Sequence, residues 1–160
     1  ATAVMFEMNP LPTGSVDAMA HRNSLKMLAE RPANLGISYP TNAVWRYWAL
    51  AKGGRMDVLL REFREYWFPA PSVQLNHVLA EFLEVKPDTT QQWSHASIAP
   101  MIHLYMDIAG IRPLKAGFAE VEIAPQLGDL EAFSLTHQTI HGGIELSLRQ
   151  RKNRLEARIF

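Results

Sequence analysis

The chain changes character within residues 93–113, whose sequence is WSHASIAPMIHLYMDIAGIRP. From residue 98 onward, apolar side chains recur at helical spacing and predict one buried helix face. That face consists of Ile98, Met101, Ile102, Tyr105, Met106 and Ala109. Ser97 is a suitable N-cap, and Gly110 with the nearby Pro113 ends the pattern. The stretch is therefore predicted to contain a single helix with a defined start and end.

Helical patterns dominate the sequence before this stretch. Apolar periodicity, together with capping and stop residues, predicts three helices. They run from Ser15 to about Glu30, from Thr41 or Asn42 to Gly53, and from Asp57 to the residues before Pro69. Bulky aromatic residues follow their apolar faces and are expected in a helical core rather than in a ligand platform: Trp45, Trp48, Phe63, Tyr66 and Trp67. Each face is wider than one neighbouring helix covers, so further helices are expected to pack against them.

Residues 72–96 lack helical periodicity over most of their length. A long irregular segment beside a helical body is more often functional than idle, which favours a role for it in a site.

The pattern after Gly110 has a period of two residues, which is typical of strands. Strands are predicted at 119–123, 133–137, 144–148 and 155–160, with turns at 125–129, 141–143 and 152–153. Short strands separated by turns indicate an antiparallel β-sandwich or part of one. The predicted fold class is therefore α+β, with paired helices followed by an incomplete sandwich.

Composition excludes several kinds of function. Sixteen basic and sixteen acidic residues give zero net charge, and the basic residues are scattered, which argues against nucleic acid and membrane partners. The chain has no cysteine, no phosphate-binding glycine loop and no apolar run of membrane-spanning length. Metal-ligand spacing is absent among His21, His77, His103, His137 and His141. We expect a soluble protein without metal or cofactor, and the compartment stays open.

Three strings resemble the C-terminal part of bacterial α-L-rhamnosidases of glycoside hydrolase family 78. They are TTQQWSH at 89–95, DIAGIRPLKAGF at 107–118 and IAPQLGDL at 123–130. The resemblance extends from about residue 41 to 143. It implies an (α/α)6 toroid followed by a β-sandwich, and inverting hydrolysis of terminal α-L-rhamnosides. Residues 1–110 would then be the last toroid helices, with an active-site loop at 72–96, and 111–160 the sandwich, here truncated.

The same resemblance selects a catalytic carboxylate. Inverting hydrolysis uses one carboxyl group as general acid and a second as general base. The family places the acid in an earlier part of the toroid and the base in a Phe-Trp-Glu string of the late loop. Phe82-Leu83-Glu84 matches that string with leucine in place of tryptophan. Glu84 is therefore the expected general base, and Glu81 is the alternative.

Other polar residues each have two interpretations. Trp93 can stack on a sugar ring while His95 donates to a hydroxyl, although His95 could equally hydrogen-bond a backbone carbonyl. Without the resemblance, Glu84 would be interpreted as a solvated loop residue. Asp107 opposes the dipole at the end of its helix and is expected to pair with Arg112.

Two function classes follow. The first is the base-bearing part of a rhamnosidase-like enzyme that acts on a rhamnose-containing glycoside. The second is a non-catalytic carbohydrate-binding or structural module. The chain starts with Ala-Thr-Ala-Val and ends with Glu-Ala-Arg-Ile-Phe, from which we expect a piece of a longer protein. Alone, the 160-residue chain is expected to be inactive and to pack on the rest of the toroid or to self-associate.

Overall fold

The computed structural model describes residues 16–31, 40–84, 90, 97–152 and 154–160. Helices occupy the first part and antiparallel sheets the second, so the α+β class is confirmed. The chain divides into two units, Ala1–Met101 and Ile102–Phe160, which are described separately. The division predicted from the sequence, with toroid helices at 1–110 and a sandwich at 111–160, stays a prediction.

The first unit contains the three helices expected from the sequence. Helix α1 is Val16–Glu30, α2 is Ala43–Lys52 after a 3-10 turn at Pro40–Asn42, and α3 is Met56–Glu62 followed by a π-helical turn at Phe63–Trp67. The amide of Gly53 donates to the carbonyl of Ala49, and that of Gly54 to Ala51, so the glycine pair ends α2 as predicted.

The apolar faces of these helices are only partly covered within the unit. Leu50, Leu59 and Phe63 are buried, and the rings of Tyr47 and Phe63 meet edge to face at 5.6 Å. In contrast, Trp45 is 51% exposed and stacks on Trp48 with 6.3 Å between ring centroids. One side of α2 therefore lies in the core while the other presents aromatic surface.

A short fourth helix corrects the prediction for residues 72–96. Helix α4 is Pro71–Asn76 and begins with proline at its first position, where no intrahelical amide is lost. It ends at His77, whose φ of 56° is left-handed. Six residues are too few to show an apolar period, which explains why the pattern missed this helix.

The predicted helix of the 93–113 stretch is present, but its buried face matches the predicted one only in part: Ala109 is buried and Ile102, Tyr105 and Met106 are half-buried. Helix α5 is Ala99–His103, followed by a π-helical turn at Leu104–Ile108. Ile98 and Met101 are 41% and 47% exposed, whereas His103 and Asp107 are buried. His103 and Asp107 are buried because they pair with each other and with Arg112, so a face identified from apolar residues alone missed them.

The proposed N-cap is also wrong. Ser97 is fully buried, and its Oγ has no hydrogen-bond partner among the residues that the structure describes. The helix starts at Ala99, so Ile98 rather than Ser97 occupies the preceding position.

Gly110 ends the π-turn as predicted. Its φ is +70°, and a Cβ at this position would collide with the backbone of Ala124. The amide of Ala124 donates to the carbonyl of Gly110 at 2.9 Å. Glycine is thus required both by the left-handed conformation and by the close strand.

The second unit contains two antiparallel sheets, in agreement with the predicted strands. The first sheet pairs β1 (Ile111–Pro113) with β2 (Val121–Ile123). The second sheet has three strands in the order β3 (Ala132–Thr139), β4 (Gly142–Arg151) and β5 (Arg154–Ile159). Strand β1 was not predicted because three residues carry no alternation. Leu135 pairs with Leu146 and Phe133 with Leu148, so the apolar residues share one face. Leu146 and Leu148 are buried there.

No helix among the described residues is long and apolar enough to cross a membrane.

Candidate functional site

The predicted carboxylates lie on the irregular segment that follows α4. Ala80 is buried with 4% exposure, Glu81 is half-buried, and Glu84 is exposed. Trp93 and His95 fall outside the described residues. Both candidate bases thus lie on one short segment, three positions apart. Their proximity to the predicted sugar-binding residues stays a prediction.

A narrow recess with a volume of about 10 Å³, room for about one water molecule, lies beside this segment. Leu83 contributes to its wall. The polar part of the wall comes from Arg31, Arg46, Tyr47, Glu62, Tyr66 and Trp67. Charged and aromatic side chains of the helices thus surround the residue directly before Glu84.

An ion pair between Arg46 and Glu62 is the centre of this wall. The guanidinium binds the carboxylate through two contacts, Nη1 to Oε2 at 2.5 Å and Nη2 to Oε1 at 2.9 Å. Nε and Nη2 of Arg46 also donate to the carbonyl of Leu28 at 2.9 and 2.6 Å. Residue 32 is proline and has no amide to offer this carbonyl, so the arginine satisfies it instead. The pair therefore connects α1, α2 and α3.

Aromatic hydroxyl and indole groups extend the network. Trp67 Nε1 donates to the Tyr47 hydroxyl at 3.0 Å, and that hydroxyl also hydrogen-bonds Glu62. Burial, and then the charge of Glu62, raise the pKa of the Tyr47 phenol well above its usual value. The phenol stays neutral at physiological pH and keeps its proton available to donate.

Arg31 completes the wall from the end of α1. Its Nη2 donates to the Tyr66 hydroxyl at 2.9 Å, and its Nε lies 3.5 Å from Glu62 Oε1. The guanidinium also lies 5.2 Å from the centroid of the Tyr66 ring. Two arginines thus share one buried carboxylate.

Sequence reasoning did not identify this network. The signal was available in two places: Arg46 interrupts the apolar run AVWRYWALA, and Glu62 stands between Leu60 and Phe63 on a core-facing helix. A charge on an otherwise buried face needs a partner of opposite charge. The sequence does not reveal, however, which of several arginines and glutamates would meet.

A second buried polar cluster lies in the second unit. His103 Nδ1 lies 2.5 Å from Asp107 Oδ2, and both residues are at most 2% exposed. Arg112 Nη2 donates to Asp107 Oδ1 at 2.9 Å, which confirms the predicted pairing. Its Nε also donates to the carbonyl of Met106 at 3.0 Å. This cluster fixes the π-turn against β1.

Metal binding finds no support in the geometry. Within the part of the chain that the structure describes, no three His, Asp or Glu side chains are grouped so that they could hold an ion.

Comparison with known proteins points to one class. Residues 110–159 match the model of the bacterial alpha-L-rhamnosidase C-terminal domain. No curated protein matches the chain. Among solved structures, the chain is similar to the family GH78 rhamnosidase of Bacillus sp. GL1, with 25% identity and a TM-score of 0.68. The match covers 91% of this chain and 16% of that rhamnosidase.

Together, the two matches confirm the resemblance drawn from the sequence. The chain is similar to the C-terminal part of a GH78 rhamnosidase, in both its helical and its sheet-containing parts. It spans about one sixth of the length of the rhamnosidase that it matches.

Proposed function

We propose that this chain is the last part of an inverting, rhamnosidase-like glycoside hydrolase and supplies its general base, Glu84. The proposal rests chiefly on the position of Glu84. Glu84 is exposed on a segment whose Ala80 is buried, within a chain similar to a GH78 rhamnosidase. An exposed carboxylate on an anchored segment is accessible to water and sugar while its backbone stays in place.

In this mechanism Glu84 accepts a proton from a water molecule as the water attacks the anomeric carbon. The bond from that carbon to the leaving oxygen breaks on the opposite face, and the leaving oxygen takes a proton from a general acid. That acid belongs to an earlier part of the complete enzyme, with roughly 6.5 to 9.5 Å between the two carboxyl groups. Trp93 and His95 would hold the rhamnose ring by stacking and hydrogen bonding.

The direct test replaces each candidate base in the complete enzyme that contains this chain. Glu84→Gln keeps the shape of the side chain and removes the proton acceptor, so kcat should fall about 10² to 10⁴-fold with little change in folding. Glu81→Gln is the matched control and should cost much less. Both are measured with an aryl α-L-rhamnoside.

The reverse order, with Glu81→Gln crippled and Glu84→Gln close to the parent enzyme, would exchange the two roles. If neither variant is impaired, the enzymatic role of this segment is wrong, and a non-catalytic carbohydrate-binding or structural module becomes the better account.

The exposed helix surface supports the second part of the proposal, that the chain packs on earlier helices of the same enzyme. Trp45, Met19 and Met27 are each 51% exposed, which is unusual for large apolar residues on neighbouring helices. Without those helices and the general acid that they carry, the 160-residue chain alone should not hydrolyse rhamnosides.

A further inference from the structure

The recess wall is held rigidly by the charge network. Arg46 binds the last turn of α1 through Leu28 and binds Glu62 of α3 through two hydrogen bonds. A bidentate guanidinium–carboxylate pair fixes both distance and orientation, and here both partners are buried. Displacing either partner would leave an uncompensated charge inside the unit, so the wall resists local movement.

The candidate catalytic segment meets this wall at Leu83. Leu83 lines the same recess as Arg46 and Glu62, and Ala80, three residues earlier, is buried. The segment is therefore buried at Ala80 and borders the recess at Leu83, directly before Glu84. The Glu84 side chain itself is exposed.

We infer that the Arg46–Glu62 network, acting through Leu83, positions the Glu84 carboxylate. Arg46, Glu62 and Leu83 are then positioning residues, and none of them needs to touch the substrate. This inference rests on the proposed function, because it takes Glu84 as the base. A base must lie in a narrow range of positions beside the attacking water, and a displacement of about 1 Å lowers a rate by about 10²-fold.

The Leu83 side chain, which lines the recess, is the part to alter, because its truncation leaves every charged group in place. In the complete enzyme, Leu83→Ala should lower kcat about tenfold and leave KM within about twofold, since the base is displaced while sugar contacts are kept. Leu83→Met keeps the apolar volume and should retain most of the rate. Leu114→Ala, at a 58% exposed leucine outside the 72–96 loop, is the matched control and should leave both constants unchanged.

Rates are normalised to folded enzyme, with circular dichroism and the unfolding midpoint measured for each variant. If Leu83→Ala fails to fold, Leu83→Val takes its place with an expected loss of about threefold in kcat.

The outcomes separate this inference from the proposed function. A large loss in Glu84→Gln together with an unchanged kcat in Leu83→Ala would overturn the positioning role and leave the base assignment intact. A rise in KM at constant kcat in Leu83→Ala would also overturn it, since Leu83 would then act on binding. If neither Glu84→Gln nor Glu81→Gln is impaired, the proposed function itself fails.

Discussion

The buried residue Asp107 joins several neighbouring groups by hydrogen bonds. It accepts from Arg112 through Oδ1 and lies against the His103 imidazole through Oδ2, and the amide of Gln126 donates to its carbonyl at 3.2 Å. Side chain and backbone of this residue therefore connect α5, the π-turn and the segment after β2.

Replacing this carboxylate should destabilise the second unit strongly. Asp107→Asn keeps the shape but removes the charge that Arg112 and His103 meet, and weakening hydrogen bonds to a buried charged group costs about 2 kcal/mol. Urea unfolding of the chain, followed by circular dichroism, measures the change. Glu120→Gln is the control, because its ion pair with Lys115 is exposed and should contribute less than about 1 kcal/mol. Equal effects of the two substitutions would contradict the role assigned to Asp107.

At this scale the sequence predicts some partners and not others. The Asp107–Arg112 pair was predictable because a carboxylate at a helix C-terminus is unfavourable and an arginine lay in the following turn. His103 lies four positions before Asp107, a spacing at which helical side chains are neighbours, so this partner was within reach of the sequence although it was not predicted. The Arg46–Glu62 pair lies 16 positions apart in sequence, beyond the reach of local spacing rules.

Among the elements, Gly110 joins the π-turn to the first sheet. It has a left-handed φ and lies against the backbone of Ala124, so two separate physical constraints act on one position. The residues that terminate helices were predictable for this reason, since glycine is one of few residues that adopt such a conformation.

The two constraints can be separated by a pair of substitutions. Gly110→Ala should destabilise the second unit by more than about 2 kcal/mol, because the added Cβ meets backbone that cannot rotate away. Gly117→Ala is the matched control: its φ is +66°, but its neighbour at 3.1 Å is the flexible end of Ile140, so only the conformational cost of about 1 kcal/mol applies. Thermal unfolding measures both variants. If the Gly110 variant is no less stable than the Gly117 variant, the backbone at Ala124 moves aside at little cost, which would contradict this account.

Element boundaries were more predictable than element faces. Caps and glycines gave the ends of α1, α2 and α3 closely, whereas part of the inner side of α5 was wrong because it buries the polar pair His103 and Asp107. In β3 and β4 the alternating sequence pattern matches the alternating burial of the side chains, because successive residues point to opposite faces even in a twisted strand.

For the whole molecule, the exposed aromatic surface of α2 predicts association. The isolated chain should self-associate through the Trp45–Trp48 stack, and sedimentation velocity should show species larger than a monomer. Trp45→Glu removes a large apolar contact and should weaken association by about tenfold or more. Leu114→Glu, at a 58% exposed leucine of the second unit, should change it little. A monodisperse monomer at high concentration would contradict this account of the surface.

The helical and sheet-containing halves were both predictable from periodicity, but their similarity to a GH78 rhamnosidase was predictable only from short strings such as GIRPLKAGF at 110–118. Trp93 and His95 lie outside the described residues, so the sugar-binding half of the candidate site still rests on the sequence. Glu84 and Glu81 share one segment, so position alone does not distinguish their proposed roles. The product that each variant forms with azide does.

Azide rescue of the base variants tests the central claim most directly. In the complete enzyme, azide replaces the activated water when the general base is missing and attacks the anomeric carbon from the face opposite to the leaving group. We expect Glu84→Gln with azide to regain turnover and to give a rhamnosyl azide of inverted configuration, identified by NMR, whereas Glu81→Gln gives only the hydrolysis product. An azide product from Glu81→Gln alone, or one of retained configuration from Glu84→Gln, would contradict the assignment of Glu84 as the base of an inverting hydrolase.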